Sequence, residues 1–113
     1  MSLDIDLGMY LDTGDKDLYY VELYSANITH NLGKMAGLVG LYDCLWHPDK
    51  NTTANDLIKP LVTGLHKLKT SPEYYKDYEP DNGWGTYESL IDFLEKLLKN
   101  CIKHNKALIS VSI

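Results

Sequence analysis

The chain has four histidines, His30, His47, His66 and His104, and they are scattered along it. They sit too far apart to share a metal ion, so the sequence predicts no metal centre. His30 is the best placed of the four. It precedes Asn31 at the predicted start of a helix, where an imidazole and an amide beside unpaired backbone amides would receive an anionic or polar ligand. The same pair would also serve simply to brace a strand-to-helix turn. Nucleophile elbows, Walker-type loops and dinucleotide glycine fingerprints are absent, and most of the carboxylates fall on predicted helix surfaces and turns. The chain contains nine tyrosines, three of which, Tyr74, Tyr75 and Tyr78, crowd ahead of Trp84 as a stacking surface or as one side of a half-buried helix. No catalytic residue and no cofactor is predicted. The balance leans away from an enzyme.

The elements that must position these residues are legible from periodicity. Leu3, Ile5, Leu7, Met9 and Leu11 alternate with Asp4 and Asp6, the two-residue period of a half-buried strand. Asp12-Thr13-Gly14-Asp15 is turn chemistry, and Leu18 to Tyr24 is the returning strand, which together predict an N-terminal hairpin. Two strands alone are marginal in water, so a further partner is required.

From Asn27 to Pro48, apolar residues recur at Ile28, Leu32, Met35, Val39, Tyr42 and Trp46, the stepping of one long helix capped by Asn27 or Thr29. A second row at Leu38, Leu41 and Leu45 widens the face and predicts a deeply enclosed rod. Gly33, Gly37 and Gly40 fall inside it, each costing roughly 1 kcal/mol relative to Ala, which points to a close approach by another element or a ligand. A second helix begins near Thr53 and is kinked at Pro60. Ser71-Pro72-Glu73 opens a short helix through Tyr78. Glu79 to Gly85 is an irregular loop, ordered if Trp84 is buried, and Thr86 caps the longest amphipathic helix, which stops near Asn105. Ala107 to Ile113 alternates as a last strand. The predicted fold is α+β, a single domain over residues 1–113, with a small three-stranded antiparallel sheet packed against a cluster of three to four helices.

Composition narrows the partners. With 113 residues and 44% hydrophobic content, one core is expected. The net charge of -5 and the absence of any arginine argue against nucleic-acid recognition, because phosphate neutralisation and bidentate clamps need clustered basic side chains, Arg above all. Cys44 and Cys101 fall on apolar helix faces and read as core thiols. No secretory leader is recognisable and no apolar run reaches the roughly 18 residues of a membrane span, so a cytoplasmic location and no membrane association are expected. The oligomeric state is left open.

Two resemblances add to this reading. His47-Pro48-Asp49-Lys50, with a helix ending at Trp46 before it, a second helix after it and Asp17-Leu18-Tyr19-Tyr20 upstream, resembles a J-domain. That resemblance implies a cochaperone in which the His-Pro-Asp turn stimulates an ATPase. The chain departs from it in a helix that carries only Lys34, balanced by Asp43, where a J-domain is strongly basic, and in its N-terminal strand pattern. A broader pattern covers nearly the whole chain: Ser25-Ala26-Asn27-Ile28-Thr29-His30-Asn31-Leu32 into Met35-Ala36, then Leu45-Trp46 with Pro48, Asn82-Gly83-Trp84-Gly85 and Val111-Ser112. It resembles a family of small uncharacterised proteins from bacteriophages, prophages and bacterial genomes. The resemblance implies that Asn27, Thr29, His30, Asn31, Asn82 and Trp84 are the ligand-binding positions, meeting if the Trp84 loop folds over the start of the central helix. The expected function is a non-enzymatic accessory module binding a small molecule or a protein, with an enzyme acting on a nucleotide-like substrate as a further alternative.

Overall fold

The computed structural model describes residues 1–113. Strand β1 (Ser2–Leu11) is the centre of a three-stranded antiparallel sheet in the order β2-β1-β3, flanked by β2 (Tyr19–Thr29) and β3 (Leu108–Ser112). The fold is α+β, as the alternation and helical periods predict. At the hairpin tip the Asp12 carboxylate accepts from the Gly14 amide at 2.9 Å, an Asx turn with Gly14 at φ 88°. β2 outruns the predicted Leu18 to Tyr24 because Ser25 through Thr29 keep pairing back along β1 as far as Ser2.

The predicted central helix is not one helix. Asn27 and Thr29 lie in β2, residues 30–32 form a single 3₁₀ turn, and two short helices follow, α1 (Gly33–Leu38) and α2 (Tyr42–Trp46). The break is Gly40, at φ 79°, a left-handed conformation that glycine takes without steric cost. α2 therefore folds back on α1, and the Tyr42 side chain lies against Gly33 and Gly37, where a Cβ would come within 3.1 Å and 3.6 Å of it. The glycines admit a close neighbour, and that neighbour belongs to the same chain. Leu38 and Tyr42 are exposed, so the segment is not an enclosed rod.

Helix α3 (Ala54–Thr70) runs through Pro60, whose ring nitrogen cannot donate to the Asp56 carbonyl. Its start is fixed by Asp56, whose carboxylate accepts from the Thr53 amide at 2.9 Å. α4 (Pro72–Lys76) is the short proline-started helix, ending two residues before Tyr78. α5 (Tyr87–Lys103) is capped by the Thr86 hydroxyl, which accepts from the Ser89 amide at 3.0 Å. α3 and α5 pack against each other, and α5 also lies on β2.

One cluster of 24 buried apolar residues joins the sheet to the helices, centred on Leu3, Ile5, Leu7, Trp46, Leu61 and Leu94. It does not extend along the whole sheet. At Leu7/Gly8 the pairing slips, because Leu23 is an extra residue on β2 and bulges. Beyond that point Met9, Leu11, Tyr19 and Val21 carry on the strands with no helix over them. The radius of gyration is 15.0 Å and the extents are 53 × 26 × 20 Å. A compact chain of this length has about 13 Å. The hairpin tip is a projecting arm.

Candidate functional site

The chain path explains which residues meet. Thr29 ends β2 and caps the 3₁₀ turn, its hydroxyl accepting from the Asn31 amide at 3.3 Å. With only one such turn, no helix dipole develops behind His30 and Asn31, and the expected positive helix end is not built. The turn instead splits its residues between inside and outside.

His30 points inward. Its Nδ1 accepts the indole hydrogen of Trp46 at 2.8 Å, tying β2's end to α2. An imidazole that accepts at Nδ1 carries its hydrogen on Nε2, and that nitrogen is buried without a protein partner. Trp46 stacks in turn on Tyr42 at 5.2 Å between ring centroids, and Tyr42 meets the ring of His47 edge-on. His30 thus belongs to an aromatic ladder rather than to an open surface. The His47-Pro48-Asp49 turn leaves a five-residue helix, not the long helical hairpin that the J-domain resemblance implies, and lines a separate depression of about 280 Å³ with Asp43, Cys44 and Asp56.

The other candidates face outward. The Trp84 loop does close over the end of β2, and Gly85 is the point of contact. Its φ is 118°, and a Cβ there would come to 2.9 Å from both the Thr29 methyl and Leu32 Cγ. Only a residue without a side chain allows this approach. Upstream, the Asn82 side-chain carbonyl accepts from the Trp84 amide at 2.9 Å; downstream, the Glu79 carboxylate accepts from the Tyr87 amide at 2.6 Å. The Tyr87 hydroxyl donates to the Leu68 carbonyl at 2.6 Å, and burial raises its pKa, which keeps that donor protonated.

The loop is held by these ties without burying Trp84, which is 70% exposed, contrary to the expectation that order requires its burial. Trp84, Asn27, Thr29 and Asn31 line one open depression of about 570 Å³ together with Met1 and Ser2. Of the six sequence-derived positions, four share that depression, Asn82 shapes the loop from behind, and His30 lies outside it. Met1 and Ser2 were not foreseen. Extending β2 by one more turn of alternation, to the Ser2–Thr29 pair, is the signal that would have found them.

The depression's side chains are neutral: two amides, two hydroxyls, a thioether and an indole. Such a lining offers hydrogen-bond donors and acceptors around one exposed aromatic face. No three His, Cys, Asp or Glu side chains gather anywhere in an arrangement suited to a metal ion. No helix is long and apolar enough to cross a membrane. Among protein-family models, curated proteins and solved structures, none matches the chain.

Proposed function

We propose that the protein is a non-enzymatic binding module that holds a neutral ring-shaped ligand, polar at its edge and apolar on one face, against Trp84. Saccharides and nucleosides both have that chemistry. The observation that carries the reading is an exposed indole held beside Asn27, Thr29 and Asn31 by a loop that Gly85 fixes in place. A large aromatic surface left in water is costly to solvate and rewards a ligand that covers it, while the two amides and the hydroxyl set its orientation. His30 contributes indirectly, by fixing the turn that presents Asn31.

Trp84 also supplies the assay, because the other tryptophan, Trp46, is buried and hydrogen-bonded. Titration with neutral monosaccharides, disaccharides and nucleosides is expected to change indole emission saturably for one of the two classes. Trp84→Ala removes the response, and Asn31→Ala weakens the apparent affinity about tenfold, the loss of one or two hydrogen bonds. Emission that stays constant for every compound, with binding also absent by calorimetry, overturns the reading.

A further inference from the structure

Two apolar surfaces of this chain are left uncovered, and they are opposite in form and charge. The first is the arm. Residues facing each other across an antiparallel pair share a side of the sheet, so the Leu3/Ile28, Ile5/Ala26 and Leu7/Tyr24 pairs continue past the bulge as Met9/Val21 and Leu11/Tyr19. The side that is buried under helices in the body is bare in the arm, where Met9, Leu11 and Tyr19 are 46%, 54% and 52% exposed. Residues 9–22 carry Asp12, Asp15, Asp17 and Glu22 against a single Lys16.

The second surface is concave. On their outer side α3 and α5 enclose a groove of about 470 Å³, floored by Val62, Leu65, Leu98 and Ile102 and edged by His66, Lys69 and Lys99. Val62 and Ile102 are 51% and 57% exposed. Residues 57–70 and 95–106 hold seven of the chain's eleven lysines and one acid, Glu95, which is already paired with Lys69 at 2.6 Å. Of these lysines, Lys69 and Lys99 stand at the groove's rim beside Glu95, so the rim is net positive in a protein whose net charge is -5.

We propose that the arm of one copy seats on the α3–α5 groove of a second copy, joining chains head to tail. The inner side of α5 already packs against β2 of its own sheet. The outer side offers the neighbour's arm a second apolar bed, with Lys69 and Lys99 at its rim to meet the carboxylates at the arm's tip. Arm against arm, by contrast, would bring like charges together. Because the two surfaces differ, the contact is heterologous and a pair of copies keeps one arm and one groove free, so assembly continues into rings or open chains.

Sedimentation velocity from micromolar to millimolar protein tests this. The wild type is expected to assemble beyond a dimer or into a closed ring, and to dissociate as salt is raised. An arm variant, Met9→Asp/Leu11→Asp, and a groove variant, Val62→Glu/Ile102→Glu, are each expected to sediment as monomers with native circular dichroism, all four positions being exposed. Mixed in equal amounts they are expected to form a one-to-one dimer and nothing larger, since the mixture contains one intact arm and one intact groove per pair. A wild type that stays monomeric overturns the proposal. So does a groove variant that still assembles, which would mean arm-to-arm pairing, or a mixture in which no dimer forms.

Discussion

The two halves of strand β1 share one residue pattern and have opposite fates. Leu3, Ile5 and Leu7 are wholly buried; Met9 and Leu11, next in the same alternation, are about half exposed. Nothing in the side chains marks the change. What differs is whether a helix lies above, and the Leu23 bulge opposite Leu7 and Gly8 marks where that cover ends. Alternation reports that one side of a strand is apolar, and burial of that side is decided by elements far away in sequence.

The sharpest way to test this contrast is truncation on each side of the bulge. Leu7→Ala is expected to cost about 2–5 kcal/mol of stability in urea denaturation, as a cavity left in a packed core. Leu11→Ala, measured in dilute monomeric protein, is expected to stay within about 0.5 kcal/mol of wild type. Equal losses at the two positions would show that the arm is packed on the body in solution.

A smaller contrast separates neighbours at the 3₁₀ turn. His30→Ala strands the Trp46 indole hydrogen in the core and is expected to cost about 1–3 kcal/mol. Asn31→Ala, one residue on and facing outward, is expected to leave the melting temperature nearly unchanged while weakening ligand binding. Reversal of that pattern would place His30 in the binding surface.

The smallest effect concerns pH. Burial pushes the Cys101 thiol up to about 12 from its ordinary 9.0. A group whose folded value is raised contributes fully below its unfolded value, so this stability is intact below about pH 9 and is lost as pH rises toward about 12. Urea midpoints are expected to fall over that window, and to fall less steeply for Cys101→Ala. An identical alkaline slope in the variant would assign the loss to other groups, among them Tyr20 and Tyr24, whose hydroxyls are also raised by burial.

The fold was legible where local chemistry is unambiguous. Ser71-Pro72, Thr86 and the alternation at each end place α4, α5 and two of the strands from residue type alone. The segment from Asn27 to Pro48 was not legible, for a definite reason: Ile28, Leu32, Met35, Val39, Tyr42 and Trp46 keep helical spacing through a break that depends on Gly40 taking a positive φ. Spacing does not reveal which of three glycines will turn the chain. The geometry of the candidate positions was half legible. Asn27, Thr29, Asn31 and Trp84 share a depression, but whether His30 faced them or Trp46 rested on a pairing across 16 residues that no local pattern carries.

The position of β3 has a consequence for how the molecule is made. Asp4 pairs with Ser112, so the sheet's middle strand has a neighbour that is synthesised long after it. The hairpin can zip early, from contacts close in sequence, but its second edge stays open until residues 108–112 emerge. During translation that edge is a bare ladder of amides and carbonyls, exposed to any other strand nearby. Final closure is therefore a late event, and a ribosome that stalls before Leu108 releases a sheet with an unguarded flank.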